Sequence, residues 1–588
     1  MLYPYSLPPI HEYMSLISKR GLTYGVSSLV ALLLVTSSLL VLPTPAHAAT
    51  YNIGPGQAYP TFTSLAAGIT LQPGDIVDGG GNTFNEMWTI NRSGTLGNPI
   101  IFRNATVSGQ NIRNNGILTN SKSNLTFSNI TIKEVVYKGL VISGSTNINI
   151  DYLTLIGSGS AIYSTNSSFI NVSYFTGLNN TVPFEGLLDF LAPGTDLTVN
   201  HVTISGVNKR AIYSSLTANV SLSDIEVTSS TTTVGVPVIE VKNMTSGNLT
   251  LDTINVGVTR GGTDAGNASY GININNSDGI NLNAQNLNIK NNTGRGIQIT
   301  DSALLPGSSL KTFDIQRNIL AGVYVRDSAN LVVGPGTSSY NDFGVWADGT
   351  GTINSVIEGV VANYNGTDGI DAVNGVPNWT VRYSEASYNG TAGKGLTTGS
   401  GDGFSIHDTS TASFYYNKAI GNLNTGMAHT GSSSGSIYNN TIFGNGSPGD
   451  STMDRAGLYI PTTANPGFIV RNNIIAQNYP GDLKEYSTTS NNNLDYNNYY
   501  PINDNNFYLI FNQSPWSWTT YHTTREPHSF NANPLFVNVA LSNFKLQSGS
   551  PALNTAIAVG LVRDFVGTIV PQGNIPDIGA YELSYTCE

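Results

Sequence analysis

His407, with Asp408 directly after it, is the residue of this chain best suited to move a proton, because a neutral imidazole acts as a base near neutral pH. Upstream, Asp348 and Asp371 supply two carboxylates, and carboxylate oxygens brought close together hold a calcium ion. Arg326 carries a planar fork that matches a carboxylate, Tyr324 and Trp346 carry flat apolar faces for stacking, and Ser405 carries a hydroxyl. Together these groups fit a β-elimination or an epimerisation. The cation neutralises a carboxylate and acidifies the adjacent C–H, His407 with Asp408 takes the proton, and the other side chains hold the substrate.

Whether these residues meet depends on the elements that carry them. Between Tyr270 and Pro461 a glycine followed by a two-faced strand recurs from Gly271, Gly296, Gly322, Gly344, Gly369, Gly403, Gly426 and Gly457. The intervals are 25, 26, 22, 25, 34, 23 and 31 residues, the signature of a solenoid that adds one coil per repeat, with inserts in two coils. Strand parity then places Ile272 and Ile274, Ile297 and Ile299, Val323 and Val325, Val345 and Ala347, Ile370 and Ala372, and Phe404 and Ile406 inside.

The positions between them form two outward columns. One runs through Tyr324, Trp346, Asp371 and Ser405, the other through Arg326, Asp348 and His407. Coils about 4.8 Å apart bring Asp348, Asp371 and His407 onto one patch and put Arg326 about 14 Å from His407, within reach of a neighbouring sugar. The duller reading is a solvated face, with the two aromatic rings covered. His429 falls on an inward position and reads as a satisfied core histidine; Lys394 and Lys418 are possible bases that align with neither column. The 34- and 31-residue intervals carry Gly-rich inserts, Gly390 to Gly401 and Gly446 to Arg455, which flank the coil of His407.

Composition bounds the function. Lys19 and Arg20, the apolar run from Val26 to Leu42, and Ala46-His47-Ala48 read as a cleaved secretory signal over residues 1–48. Removing it leaves 24 Lys and Arg against 36 Asp and Glu, a formal charge of −12, which speaks against nucleic acid as a partner. The single cysteine, Cys587, has no partner in the chain, so stability must come without an intrachain disulfide. Only 11% of residues are charged while Asn, Ser, Thr and Gly abound, and Asn-Gly pairs at Asn365, Asn389 and Asn445 predict left-handed turns whose amides ladder from coil to coil.

The opening residues Tyr51-Asn-Ile-Gly-Pro-Gly, Pro73-Gly-Asp-Ile-Val77 and Gly94-Thr-Leu-Gly-Asn-Pro-Ile100, with the tail motifs Asn533-Pro-Leu-Phe-Val537, Gly549-Ser-Pro-Ala-Leu553 and Asp577-Ile-Gly-Ala-Tyr-Glu582, carry a resemblance. The chain resembles the secreted right-handed parallel β-helix proteins of the pectate-lyase-like superfamily. The resemblance implies an all-β fold: a solenoid over 49–490 with a short N-terminal capping helix from Ser64 to Ile69, and a closing segment over 491–588. One frame of this kind carries lyases, hydrolases, epimerases and adhesins. Asp402-Gly-Phe-Ser-Ile-His-Asp408 resembles the Tyr-Gly-Phe-Asp-Pro-His-Asp/Glu run of alginate epimerases, but Ser405 stands where that family has Asp, Ile406 where it has Pro, and Asp402 where it has Tyr.

The reading that follows is an exported, monomeric, polysaccharide-active β-helix, with lyase- or epimerase-type proton abstraction on a uronate-containing chain. The alternatives are a non-catalytic glycan-binding surface protein, and a hydrolase using paired carboxylates such as Asp348 and Asp371. No stable membrane insertion is expected once the signal is removed.

Overall fold

The computed structural model describes residues 48–584 apart from 158, 179–184, 231–234, 265, 268–269, 391–400, 448–454, 461–466, 486–490, 503–506, 511–514 and 524. The expected signal segment up to residue 47, most of both Gly-rich inserts, Lys394, Pro461 and Cys587 lie outside the described residues. Among the described residues no helix is long and apolar enough to cross a membrane.

Every coil contributes strands to stacked parallel sheets, one of 27 strands and one of 17 among the described residues. On the 17-strand face lie β1 (Val323–Arg326), β2 (Val345–Asp348), β3 (Ile370–Val373), β4 (Phe404–Ile406) and β5 (Met427–His429). The predicted register holds strand by strand: Tyr324 pairs with Trp346, Trp346 with Asp371, Asp371 with Ser405 and Ser405 with Ala428. The predicted core pairs from Ile272 to Ile406 are all buried, none more than 2% exposed.

The repeat glycines recur because the coils stack too closely for a side chain. A Cβ on Gly344 would lie 2.3 Å from the Gly369 carbonyl, and one on Gly369 would lie 2.6 Å from that of Gly403. The amide ladder also forms: Asn365 donates to Asn389, Asn389 to Asn422, Asn422 to Asn445 and Asn445 to Asn478, at 2.8 to 3.0 Å. Left-handed backbone stands at the Gly390 and Gly446 of these pairs, as predicted, and also one residue before each asparagine, at Tyr364, Tyr388 and Gly444. With the bend taken up there, the asparagine side chain turns inward and satisfies buried carbonyls, such as Ala386 O from Asn422 at 2.9 Å.

The N-terminal end is closed by α1 (Phe62–Gly68), two residues ahead of the expected start, with Thr61 as its capping residue. Phe62 and Leu65 are buried, and Phe62 stacks on Trp88 at 4.9 Å. At the other end coil stacking runs on past residue 490, since Asn493–Asp495, Asn498–Tyr500 and Phe530–Asn531 still pair with the sheets. The remaining tail folds back on the outside of the long sheet. Phe536, Phe544, Ile578 and Ala580 cover Ile420, Ile474 and Ala476 there, and Ala580 N donates to Thr441 Oγ1 at 3.1 Å.

Candidate active site

Because β3 and β4 pair in register, Asp371 lies beside Ser405 and diagonally below His407. The Ser405 hydroxyl donates to Asp371 Oδ1 at 2.7 Å and faces Asp368 Oδ2 at 3.3 Å. His407 Nε2 stands 3.3 Å from Asp371 Oδ1, and its Nδ1 is 2.7 Å from the Thr430 hydroxyl of the next coil. Asp402 completes the group: its backbone N–H donates to Asp368 Oδ1 at 2.8 Å, and its carboxylate accepts from Thr425 N and Asn424 Nδ2. Asp368, Asp371, Asp402 and Ser405 are all buried, whereas a third of the His407 side chain is exposed.

Electrostatics follow from that burial. Desolvation works against a charged imidazole, but the hydrogen bond to Asp371 and the charges of Asp371, Asp368 and Asp402 outweigh it and lift His407 to about 9. Burial raises Asp402 to about 6, against the pull of its hydrogen bonds and of His407. One donor atom each from Asp368, Asp371 and His407 lie within 4.8 Å of one another, a spacing that fits one divalent cation. The carboxylate oxygens suit calcium, while an imidazole ligand suits a transition ion.

The other expected residues gather nearby, but differently. Asp348 accepts from the Tyr324 hydroxyl at 2.7 Å and from Asn374 Nδ2 at 2.7 Å, and the exposed Asp408 accepts from Asn374 N at 2.9 Å. Asn374 thus ties Asp348 to Asp408, while Asp371 faces His407. Tyr324 has no open face for a ligand: it is 3% exposed, Trp346 packs edge-on at 5.0 Å, and the Arg295 guanidinium covers its ring at 3.7 Å. Phe343 occupies a face of Trp346 at 4.9 Å, and Ser405 is buried as the link between the two carboxylates. Burial, with the hydrogen bond to Asp348 and its charge, pushes Tyr324 up to about 12. Arg326 is half-exposed and 3.3 Å from Asp301. Lys418 is on the long sheet, 2.5 Å from Glu385, away from the columns.

His429 points inward as parity predicts, but it is not a satisfied core histidine. It lies between Phe414 and Phe468, at 5.2 and 4.6 Å, and neither ring nitrogen has a hydrogen-bond partner among the described residues. Burial, with the charge on His407, lowers it to about 3. Asp368 and Asp402 were outside the two columns, yet each immediately precedes a repeat glycine, as do Arg295 and Phe343. A third column at that position contains all four. Strand parity misses it because the chain bends at the glycine, which resets the alternation.

The stacked coils define a parallel β-helix. No family model matches the chain, and no curated protein matches it. Among solved structures it is similar to a pectate lyase at 13% identity, covering 91% of this chain and 96% of that one, with a TM-score of 0.31. It is also similar to the A-module of a mannuronan C-5 epimerase from Azotobacter vinelandii, at 11% identity over 66% and 85% of the chains and a TM-score of 0.30. A periplasmic alginate epimerase is similar at 10% identity over 67% and 77%, with a TM-score of 0.29. Identity and TM-score are low throughout, and what the site can do rests on its own geometry.

Proposed function

We propose that this chain is an exported enzyme acting on a uronate-containing polysaccharide at the His407 cluster, by lyase- or epimerase-type proton abstraction. The observation that carries this is the position of His407, the partly exposed member of an otherwise buried network of Asp371, Ser405, Asp368 and Asp402. Asp371 holds Nε2 and fixes the ring. Nδ1 is the nitrogen a substrate can claim, because a hydroxyl partner, Thr430, is displaced more cheaply than a carboxylate. Held charged up to about pH 9, the imidazole becomes a base on the alkaline side, where uronate elimination is chemically favoured.

Three carboxylates around one imidazole repel a polyanion. A divalent cation held by the carboxylates of Asp368 and Asp371 would offset that charge and acidify the sugar C–H, leaving the imidazole of His407 as the base. Export is supported by the residues from Lys19 to Ala48.

The test is a panel of pectate, alginate and a glycosaminoglycan, with and without calcium, followed by ultraviolet absorbance for unsaturated ends and by the uronate ratio for epimerisation. The expected outcome is one of these signals, lost in His407→Ala. Binding that persists with neither signal would make the protein a non-catalytic glycan binder instead.

A further inference from the structure

We propose that a second site, for a neutral oligosaccharide, lies on the outer face of the long sheet near the amino-terminal end, centred on Phe169. It is independent of the His407 cluster, which lies on the other sheet.

The feature that points there is a break in a ladder. In successive coils Asn124, Asn147, Phe169, Asp196 and Asn219 occupy equivalent positions, all with left-handed backbone, φ between 51° and 59°. Asparagine and aspartate tolerate that conformation, and here they also pair from coil to coil: Asn147 donates to Asn124 and Asn219 to Asp196, at 3.0 and 2.9 Å. Phe169 does neither. It is a bulky residue in a conformation that disfavours it, it interrupts the amide ladder, and it is 56% exposed. Its ring has no aromatic partner among the described residues, unlike exposed Tyr152 and Tyr174, which stack on each other at 4.5 Å. Other left-handed aromatic residues, such as Tyr340, Tyr364 and Tyr388, also stack on one another from coil to coil, which Phe169 does not.

Around the ring the surface is built for hydrogen bonding. Phe169 lines a groove of about 660 Å³, overhung by the turn at Thr95–Asn98, on whose tip Leu96 is 85% exposed. Along the groove runs a register column of Asn149, Asn171, Thr198, Ser221 and Thr250, one per coil at about 4.8 Å. Their amides and hydroxyls make no hydrogen bond within the described residues and face the groove. Amide and hydroxyl groups at the pitch of a sugar chain, beside an unstacked ring and an apolar rim, match the polar edges and apolar faces of a pyranose. The lining contains no Lys or Arg and one ionisable group, Asp196, so the ligand is uncharged rather than anionic.

The test is isothermal titration calorimetry of the mature chain with cellotetraose, xylotetraose and mannotetraose, and with trigalacturonate as the charged comparator. At least one neutral tetrasaccharide should bind. Phe169→Asn, which restores the ladder residue, should weaken it by about tenfold or more while leaving the melting temperature unchanged or higher. Leu96→Ser should weaken it as well. The proposal falls if no neutral tetrasaccharide binds at millimolar concentration, if Phe169→Asn leaves binding untouched, if trigalacturonate competes equally at this groove, or if Phe169→Asn lowers the melting temperature, which would make the ring structural.

Discussion

Asp371 Oδ1 stands 3.3 Å from His407 Nε2 across one coil of the solenoid, and the same oxygen accepts the Ser405 hydroxyl at 2.7 Å. The pair is a product of register. Although Gly403 follows Gly369 at an interval of 34 residues, longer than the 22 to 26 of most repeats, Asp371 still falls beside Ser405. Replacing Asp371 with Asn removes both the hydrogen-bonded anion and the nearest charge that raises His407. The imidazole should then titrate more than about one unit below its value of about 9, seen by NMR of the ring protons. An unchanged titration would mean that Asp368 and Asp402 alone hold the proton, and that Asp371 does not position the ring.

The same pair sets a pH dependence of stability. The folded value of about 9 lies above the ordinary 6.5, so the stabilisation is fully present below pH 6.5 and is lost as pH rises through about 9. Asp402 acts in the same direction at lower pH. Held at about 6 against an ordinary 3.8, it keeps a proton in the folded chain that the unfolded chain releases, so stability falls as pH rises between those values. Above about pH 6.5, where His429 no longer opposes it, melting temperature should therefore decline toward alkaline pH, while catalysis by a His407 base rises over the same range. Asp371→Asn should flatten the alkaline decline; a decline of the same size in the variant would place its cause elsewhere.

How much of this was legible in the sequence depended on what each residue answers to. Strand register was legible because Gly344, Gly369 and Gly403 mark a steric contact that recurs through the coils from Gly271 to Gly457, and parity follows from the mark. Tyr324 and Ser405 take the register of the outward column, and a covered Tyr324 ring was one of its two readings; what covers it was not legible, because Arg295 reaches over from the residue before a glycine, outside either column. Asp368 and Asp402 were hidden for the same reason. The Asn365 and Asn389 ladder was readable as a ladder, whereas the turn that frees it belongs to Tyr364 and Tyr388, residue types that carry no left-handed signal.

The steric origin of the glycine register is itself testable. Gly344→Ala puts a methyl carbon 2.3 Å from the Gly369 carbonyl and 2.8 Å from the Ala362 side chain, with backbone on the near side that cannot give way. A loss of about 1–3 kcal/mol is expected, by urea or thermal melting. Gly97→Ala, where nothing lies within 4 Å but φ is +84°, should cost less, about 1 kcal/mol. Equal losses at the two positions would mean that backbone conformation, not coil spacing, selects these glycines.

His429 supplies the sharpest control on the assignment of the site. It sits one coil beyond His407, its register partner is the core residue Ile406, and its two nitrogens are buried without partners between Phe414 and Phe468. A neutral imidazole there costs what an unpaired buried polar group costs, so His429→Leu should be neutral or stabilising by about 1 kcal/mol near pH 7. At lower pH the difference should widen. The folded value of about 3 lies below the ordinary 6.5, so wild-type stability is lost as pH falls from 6.5 toward 3, and the leucine variant lacks that loss. On polysaccharide turnover the two histidines should separate completely: His407→Ala should lose about a hundredfold or more, while His429→Leu keeps wild-type rates. If His429→Leu abolishes turnover and His407→Ala does not, the outward register is the wrong guide to the chemistry, and the buried aromatic cleft around His429 is where a proton must be sought.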